Sequence, residues 1–119
     1  MKRKLLLIPL ILLFFSCEKS TEKQVTYYIT GSISGFDVNY RADDGSIRKE
    51  SVVTNSAEDE WRYSFPGEEG DIVFVSAIYY DISSAITVQV LIDGKLFKQG
   101  SSSQDTVKYV TVSGTVPYD

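Results

Sequence analysis

Ile86-Thr87-Val88-Gln89-Val90-Leu91-Ile92-Asp93-Gly94-Lys95-Leu96-Phe97-Lys98 is the stretch on which the fold turns. Ile86, Val88, Val90 and Ile92 alternate with Thr87, Gln89 and Leu91, the period of two that belongs to an extended strand. Asp93-Gly94 then supplies a residue pair favoured in two-residue turns whose central positions need positive φ. Such a turn fixes the register of the strands it joins. It sets Ile92 opposite Lys95, Leu91 opposite Leu96, Val90 opposite Phe97, and Gln89 opposite Lys98. Val88, Val90 and Phe97 are therefore expected on the core face. Leu91 and Leu96 are expected side by side on the other face next to the turn. There they form a candidate contact surface if no neighbouring element covers them.

The same period runs through most of the chain. Val25, Tyr27, Ile29 and Ile33 share one side of an extended segment, in which Gly31 suggests a bulge or kink. Phe36, Val38 and Tyr40 alternate with Asp37, Asn39 and Arg41, and Asp43-Asp44-Gly45-Ser46 is a turn signal. Residues 47–54 return as the partner strand, with Arg48, Lys49 and Glu50 marking an edge or a wet face. Trp61, Tyr63 and Phe65 alternate next, with Pro66-Gly67 as the expected stop. Residues 72–80 carry large side chains on both parities: Ile72, Phe74 and Ile78 on one, Val73, Val75 and Tyr79 on the other. That is the pattern of a strand in the middle of a sheet, apolar on both faces. Residues 107–116 make the last strand. No helical period lasts three turns beyond Cys17. Seven or eight short strands at such spacing predict an all-β fold, an immunoglobulin-like antiparallel β-sandwich over residues 25–119.

The N-terminus has a different character. Lys2, Arg3 and Lys4 precede an apolar run, residues 5–15, interrupted only by Pro9. The run is too short to span a bilayer, which takes about 18 to 20 apolar residues. It suits the apolar region of a secretory signal peptide. Leu13-Phe14-Phe15-Ser16-Cys17 resembles a bacterial lipobox, and Cys17 is the only cysteine in the chain. The resemblance implies cleavage between Ser16 and Cys17 and lipidation of the Cys17 thiol. The chain then divides into a lipoprotein signal peptide at 1–16, a polar tether at 17–24 and the domain. Two or more acyl chains hold a protein firmly on a membrane. The residue after Cys17 is Glu18, not the aspartate that retains lipoproteins on the inner membrane, so the expected location is the outer membrane of a bacterial cell envelope.

From Cys17 onward the chain holds 9 basic and 16 acidic groups, a net charge of −7. This argues against nucleic acid, whose phosphates need Lys and Arg, and against docking on anionic headgroups. There is no histidine. With the one thiol lipidated, Cys-His and Ser-His-Asp chemistry is excluded, as are zinc sites built on His or Cys. No glycine-rich loop joins a strand to a helix. The carboxylates fall in turns, where solvation explains them, so neither an enzyme nor a cofactor is expected. Asp43-Asp44-Gly45 with Glu50 lacks the alternating ligands of a calcium loop. Glu58-Asp59-Glu60 and Glu68-Glu69 make a cation patch only if the two turns meet. Eight tyrosines and one tryptophan suit either cross-strand packing or a glycan- or peptide-binding surface.

Val25-Thr26-Tyr27-Tyr28-Ile29-Thr30-Gly31, followed by an extended segment, resembles the opening of the mycobacterial small membrane protein family. The hairpin from Ile86 to Lys95, with Ser101-Ser102-Ser103 after it, is similar to that family's closing hairpin. Trp61 and the strand from Ile72 fall at similar places, so the likeness covers residues 25 to about 112. It implies one β-sandwich domain on a membrane anchor, acting as an accessory to lipid-exporting transporters of the resistance-nodulation-division type. The chain departs from the family in two respects. The family's anchor is a transmembrane helix, and its paired cysteines are absent here, with Val88 near the place of the first. The expected function is a non-catalytic lipoprotein that serves an envelope protein or transporter. Binding of a small ligand, a glycan or a cation, is the alternative.

Overall fold

The computed structural model describes residues 21–81, 83–102 and 109–118. Ser16, Cys17 and the expected cleavage site lie outside these residues. Eight strands follow one another: β1 (Glu22–Thr30), β2 (Phe36–Arg41), β3 (Ile47–Val52), β4 (Glu60–Glu68), β5 (Ile72–Tyr79), β6 (Thr87–Ile92), β7 (Lys95–Ser101) and β8 (Tyr109–Thr115). They form two four-stranded sheets, β4-β1-β6-β7 and β3-β2-β5-β8, in which every pairing is antiparallel. The protein is an all-β sandwich.

The strand order explains the immunoglobulin-like character. In an immunoglobulin sandwich, strands B and E pair in one sheet while C and F pair in the other. Here β1 pairs with β4 and β2 pairs with β5 in the same interlocked way. β8 and β3 flank β5 and β2 as G and C′ flank F and C. The β6–β7 hairpin takes the side of β1 where strand A would lie. β4 is left as an edge.

Period-two patterning becomes burial without exchange of faces. Val25, Tyr27 and Ile29 of β1, Val38 and Tyr40 of β2, Val73, Val75 and Tyr79 of β5, and Val88 and Val90 of β6 are buried between the sheets. Aromatic rings fill one end of this core. Tyr27 contacts Tyr40, Tyr63 and Phe65, and Tyr40 also contacts Trp61 and Tyr63. Their tilted, edge-on and stacked geometries at 4.7–6.2 Å are favourable for ring pairs. Tyr27 reaches from one sheet to the other: its hydroxyl donates to the Arg41 carbonyl at 2.7 Å and accepts from the Phe74 amide at 3.3 Å. Burial pushes the Tyr27 phenol up to about 12. The same cause, with Glu50 beside the hydroxyl, pushes Tyr40 up to about 12.

Several local expectations are corrected. β1 starts at Glu22, so the last residues assigned to the tether are strand. It ends at Thr30, and Gly31 turns the chain at φ +94° where a Cβ would strike the Ala85 carbonyl. Ile33 is consequently in a loop and exposed instead of sharing the core side. Pro66-Gly67 does not stop β4, which runs on to Glu68. β4 is an edge strand, where proline costs no ladder bond on the open side. Gly67 is buried against Val25, whose Cγ2 lies 2.8 Å from where a Cβ would stand.

The decisive hairpin forms with its expected turn and an altered register. Asp93 and Gly94 have φ of +52° and +80°. Ile92 faces Lys95 and Leu91 faces Leu96, but a bulge then places Val90 opposite Lys98 and Gln89 opposite Gln99. Phe97 is the extra residue. It is half-buried and packs against the margin of the core instead of facing Val90. Gly114 of β8 makes room for it: the Phe97 ring and the Lys98 stem lie 3.3 Å and 3.0 Å from the place a Cβ would take.

Candidate contact faces

The outward faces of the two sheets differ in chemistry. On β4-β1-β6-β7, rows of polar side chains satisfy one another. Thr26 and Ser64 hydroxyls are 2.9 Å apart, and the Gln89 amide donates to Gln99 at 3.1 Å. Tyr28 donates to Glu60, and the Arg62 guanidinium lies 4.6 Å from the Tyr28 ring centre. Leu91 and Leu96 interrupt this polar face at the hairpin tip. They are direct cross-strand partners, Leu91 half-buried beside Thr26 and Leu96 53% exposed.

The outward face of β3-β2-β5-β8 is more apolar. β5 lies inside its sheet, between β2 and β8. This is the central place its apolar parities indicate, yet no further layer of the described residues covers its outward face. Ile72 is 56% exposed and Ile78 37%, with Phe74 half-buried between them. Ile47 on β3 is 58% exposed, and Tyr80 and Tyr109 add exposed rings at the Ile78 end. Two shallow grooves cross this face. One, of about 590 Å³, is lined by Asn39, Arg41, Ile47, Lys49, Ile72 and Phe74. The other, of about 310 Å³, is lined by Asp37, Asn39, Lys49, Glu50, Ser51 and Ile78.

Charge is ordered on this face. Arg41 donates to the Ile72 carbonyl at 2.8 Å, and neither it nor Lys49 has a carboxylate within 4.0 Å among the described residues. Asp37 accepts from Tyr80 at 2.5 Å and from Ser51 at 2.8 Å. These bonds, Tyr80's first, hold its carboxyl below the usual carboxylate range. Asp37 is thus a fixed negative charge at one end and Arg41 a fixed positive charge at the other.

The remaining candidates resolve into structure. Asp44 closes the β2–β3 turn by accepting from the Ser46 amide at 3.0 Å and hydroxyl at 2.6 Å. Arg48 lies 3.5 Å from Asp43 and 3.8 Å from Asp44. Glu50 and Arg48 point inward from the β3 edge, where Tyr40 donates to Glu50; inward charges of this kind block pairing with another edge. Glu60 and Glu68 stand at opposite ends of β4, so the two acidic turns do not meet. Among the described residues no group of three or more Asp, Glu, His or Cys is placed to hold a metal ion. Tyr27, Tyr40 and Tyr79 are core residues, and Trp61 and Tyr63 pack against it. No protein-family model and no curated protein sequence matches the chain.

Proposed function

We propose that this is a non-catalytic lipoprotein of the bacterial cell envelope whose β-sandwich works by binding an envelope protein, as an accessory to a transporter or a similar assembly. The observation that carries this reading is the outward face of β3-β2-β5-β8. An apolar strand inside a sheet, with Ile72, Phe74 and Ile78 turned outward, gains nothing for folding from that face and offers a surface for association. Leu91 and Leu96 are a second, smaller contact on the opposite side. Cys17, through its lipid, holds both close to the membrane: a tether reaching from Glu18 to Thr21 extends about 13 Å at most. The likeness to the mycobacterial small membrane proteins supports the accessory role through fold and hairpin alone, and function rests on the site.

The test is the double substitution Ile72→Ser with Ile78→Ser, and in parallel Leu91→Ser with Leu96→Ser. Each is followed by thermal melting and by crosslinking in the intact envelope. The reading expects near-normal melting with loss of crosslinked partners. Retained crosslinks in both variants would overturn it, and so would a collapse of the fold, which would show these residues to be core.

A further inference from the structure

The outward face of β3-β2-β5-β8 carries a pattern that reverses onto itself. Along β2 and β5, Asp37 stands beside Ile78, Asn39 beside Ser76, and Arg41 beside Phe74 in the larger groove. Isologous pairing needs one patch that complements its own copy under a twofold rotation. A twofold axis lying in the face, along the Asn39–Ser76 row, meets this condition. It brings Asp37 of each copy against Arg41 of the other, and Ile78 against Phe74, each contact made twice. The alternative axis, along the strands, sets Asp37 against Ile78 and Arg41 against Phe74, which leaves charges buried against carbon without a partner. We propose that a second copy of this chain occupies the face in the first arrangement, with Asp37–Arg41 pairs flanking an Ile78–Phe74 centre.

This rests on the reading of the face as a contact surface and names its occupant. The charges suit it: Arg41 has no carboxylate within 4.0 Å among the described residues, and Asp37 is fixed by Tyr80 and Ser51 with room for another donor. Lys49 opposes the arrangement, because it sits in the axial row on the edge strand β3 and meets its own copy there. The face is also small. Four strands about 4.8 Å apart and six residues long project to roughly 400 Å² per copy, below the roughly 600 Å² per partner at which stable specific interfaces begin. The pairing is therefore weak in dilute solution, and tethering to one membrane supplies the effective concentration.

Single cysteines test it in the full chain on membranes. Facing sheets pack about 10 Å apart, beyond the Cα separation of a disulfide, so a short bismaleimide is the probe. Ser76→Cys and Asn39→Cys are expected to crosslink to a species of twice the mass. Thr26→Cys on the opposite face, and the parent chain with Cys17 alone, are expected to give at most one-fifth of that yield. In the Ser76→Cys background, Asp37→Arg and Arg41→Asp each lower the yield at least fivefold. The two together restore it, and Lys49→Met raises it, with melting measured throughout to confirm folding. Equal yield from Thr26→Cys, or no restoration by the charge exchange, overturns the twofold pairing. Adducts from Ser76→Cys to a protein of different mass, with none to its own copy, overturn the pairing and leave the contact face standing. No adduct of either kind removes both.

Discussion

Tyr27→Phe removes one oxygen from the middle of the sandwich and tests how the two sheets are joined. That hydroxyl donates to the Arg41 carbonyl at 2.7 Å and accepts from the Phe74 amide at 3.3 Å. The β2–β5 ladder closes with Tyr40 opposite Val75, so the phenol bridges the strands just beyond it. A net hydrogen bond contributes about 0.5 to 1.5 kcal/mol, and a buried group left without its partner costs about 1 to 3 kcal/mol. With the ring itself retained, the expected loss is about 2 kcal/mol in urea unfolding. The same phenol shapes the alkaline limb. It ionises near 10 in the unfolded chain and near 12 in the folded one. The folded state holds the proton longer, so this contribution is intact below pH 10 and is lost as pH rises from 10 towards 12. Two pH units correspond to about 2.7 kcal/mol. Tyr27→Phe should therefore show a shallower fall in stability across that window. A loss under about 0.5 kcal/mol at pH 7, with an unchanged alkaline limb, would refute the bridge.

Phe97→Ala should cost about 1 to 2 kcal/mol in the same assay, because the bulge leaves the ring half-buried; a full core truncation costs about 3 to 5 kcal/mol, and a loss of that size would restore the unbulged register. Gly67→Ala should lower stability by about 1 to 3 kcal/mol through overpacking against Val25, and a neutral result would contradict the close approach of β4 to β1. Cys17→Ala should release the protein from the membrane or leave it unprocessed; fractionation and migration like the parent chain would remove the lipoprotein reading.

The sandwich was legible because alternation of apolar and polar residues survives burial intact. Phe36-Val38-Tyr40 and Val88-Val90 enter the core on the parity the sequence indicates. The strand count, the Asp93-Gly94 turn and the edge character of Arg48-Lys49-Glu50 were equally readable. Phe97 was not, since a bulge depends on what lies opposite, here the space above Gly114. β5 was legible as a central strand, but what lies against its outward face was not. An apolar parity reports only that the side chains avoid water in some state, and the sequence does not say whether a layer of the same chain or a partner covers them. The Leu91–Leu96 pair was visible because two residues of turn separate a strand from its partner. The larger face joins Ile47 of β3 to Ile72 and Ile78 of β5, two segments distant in sequence, and was visible only once β3, β2 and β5 were aligned.

The most direct measurement of the contact face uses a photo-crosslinking side chain at Ile78, and for comparison at Thr26, in the full chain within the intact envelope. Adducts to a protein, own copy or other, should form from position 78 and be lost when Phe74→Ser and Ile72→Ser are added. Adducts from position 26 with none from position 78 would contradict it.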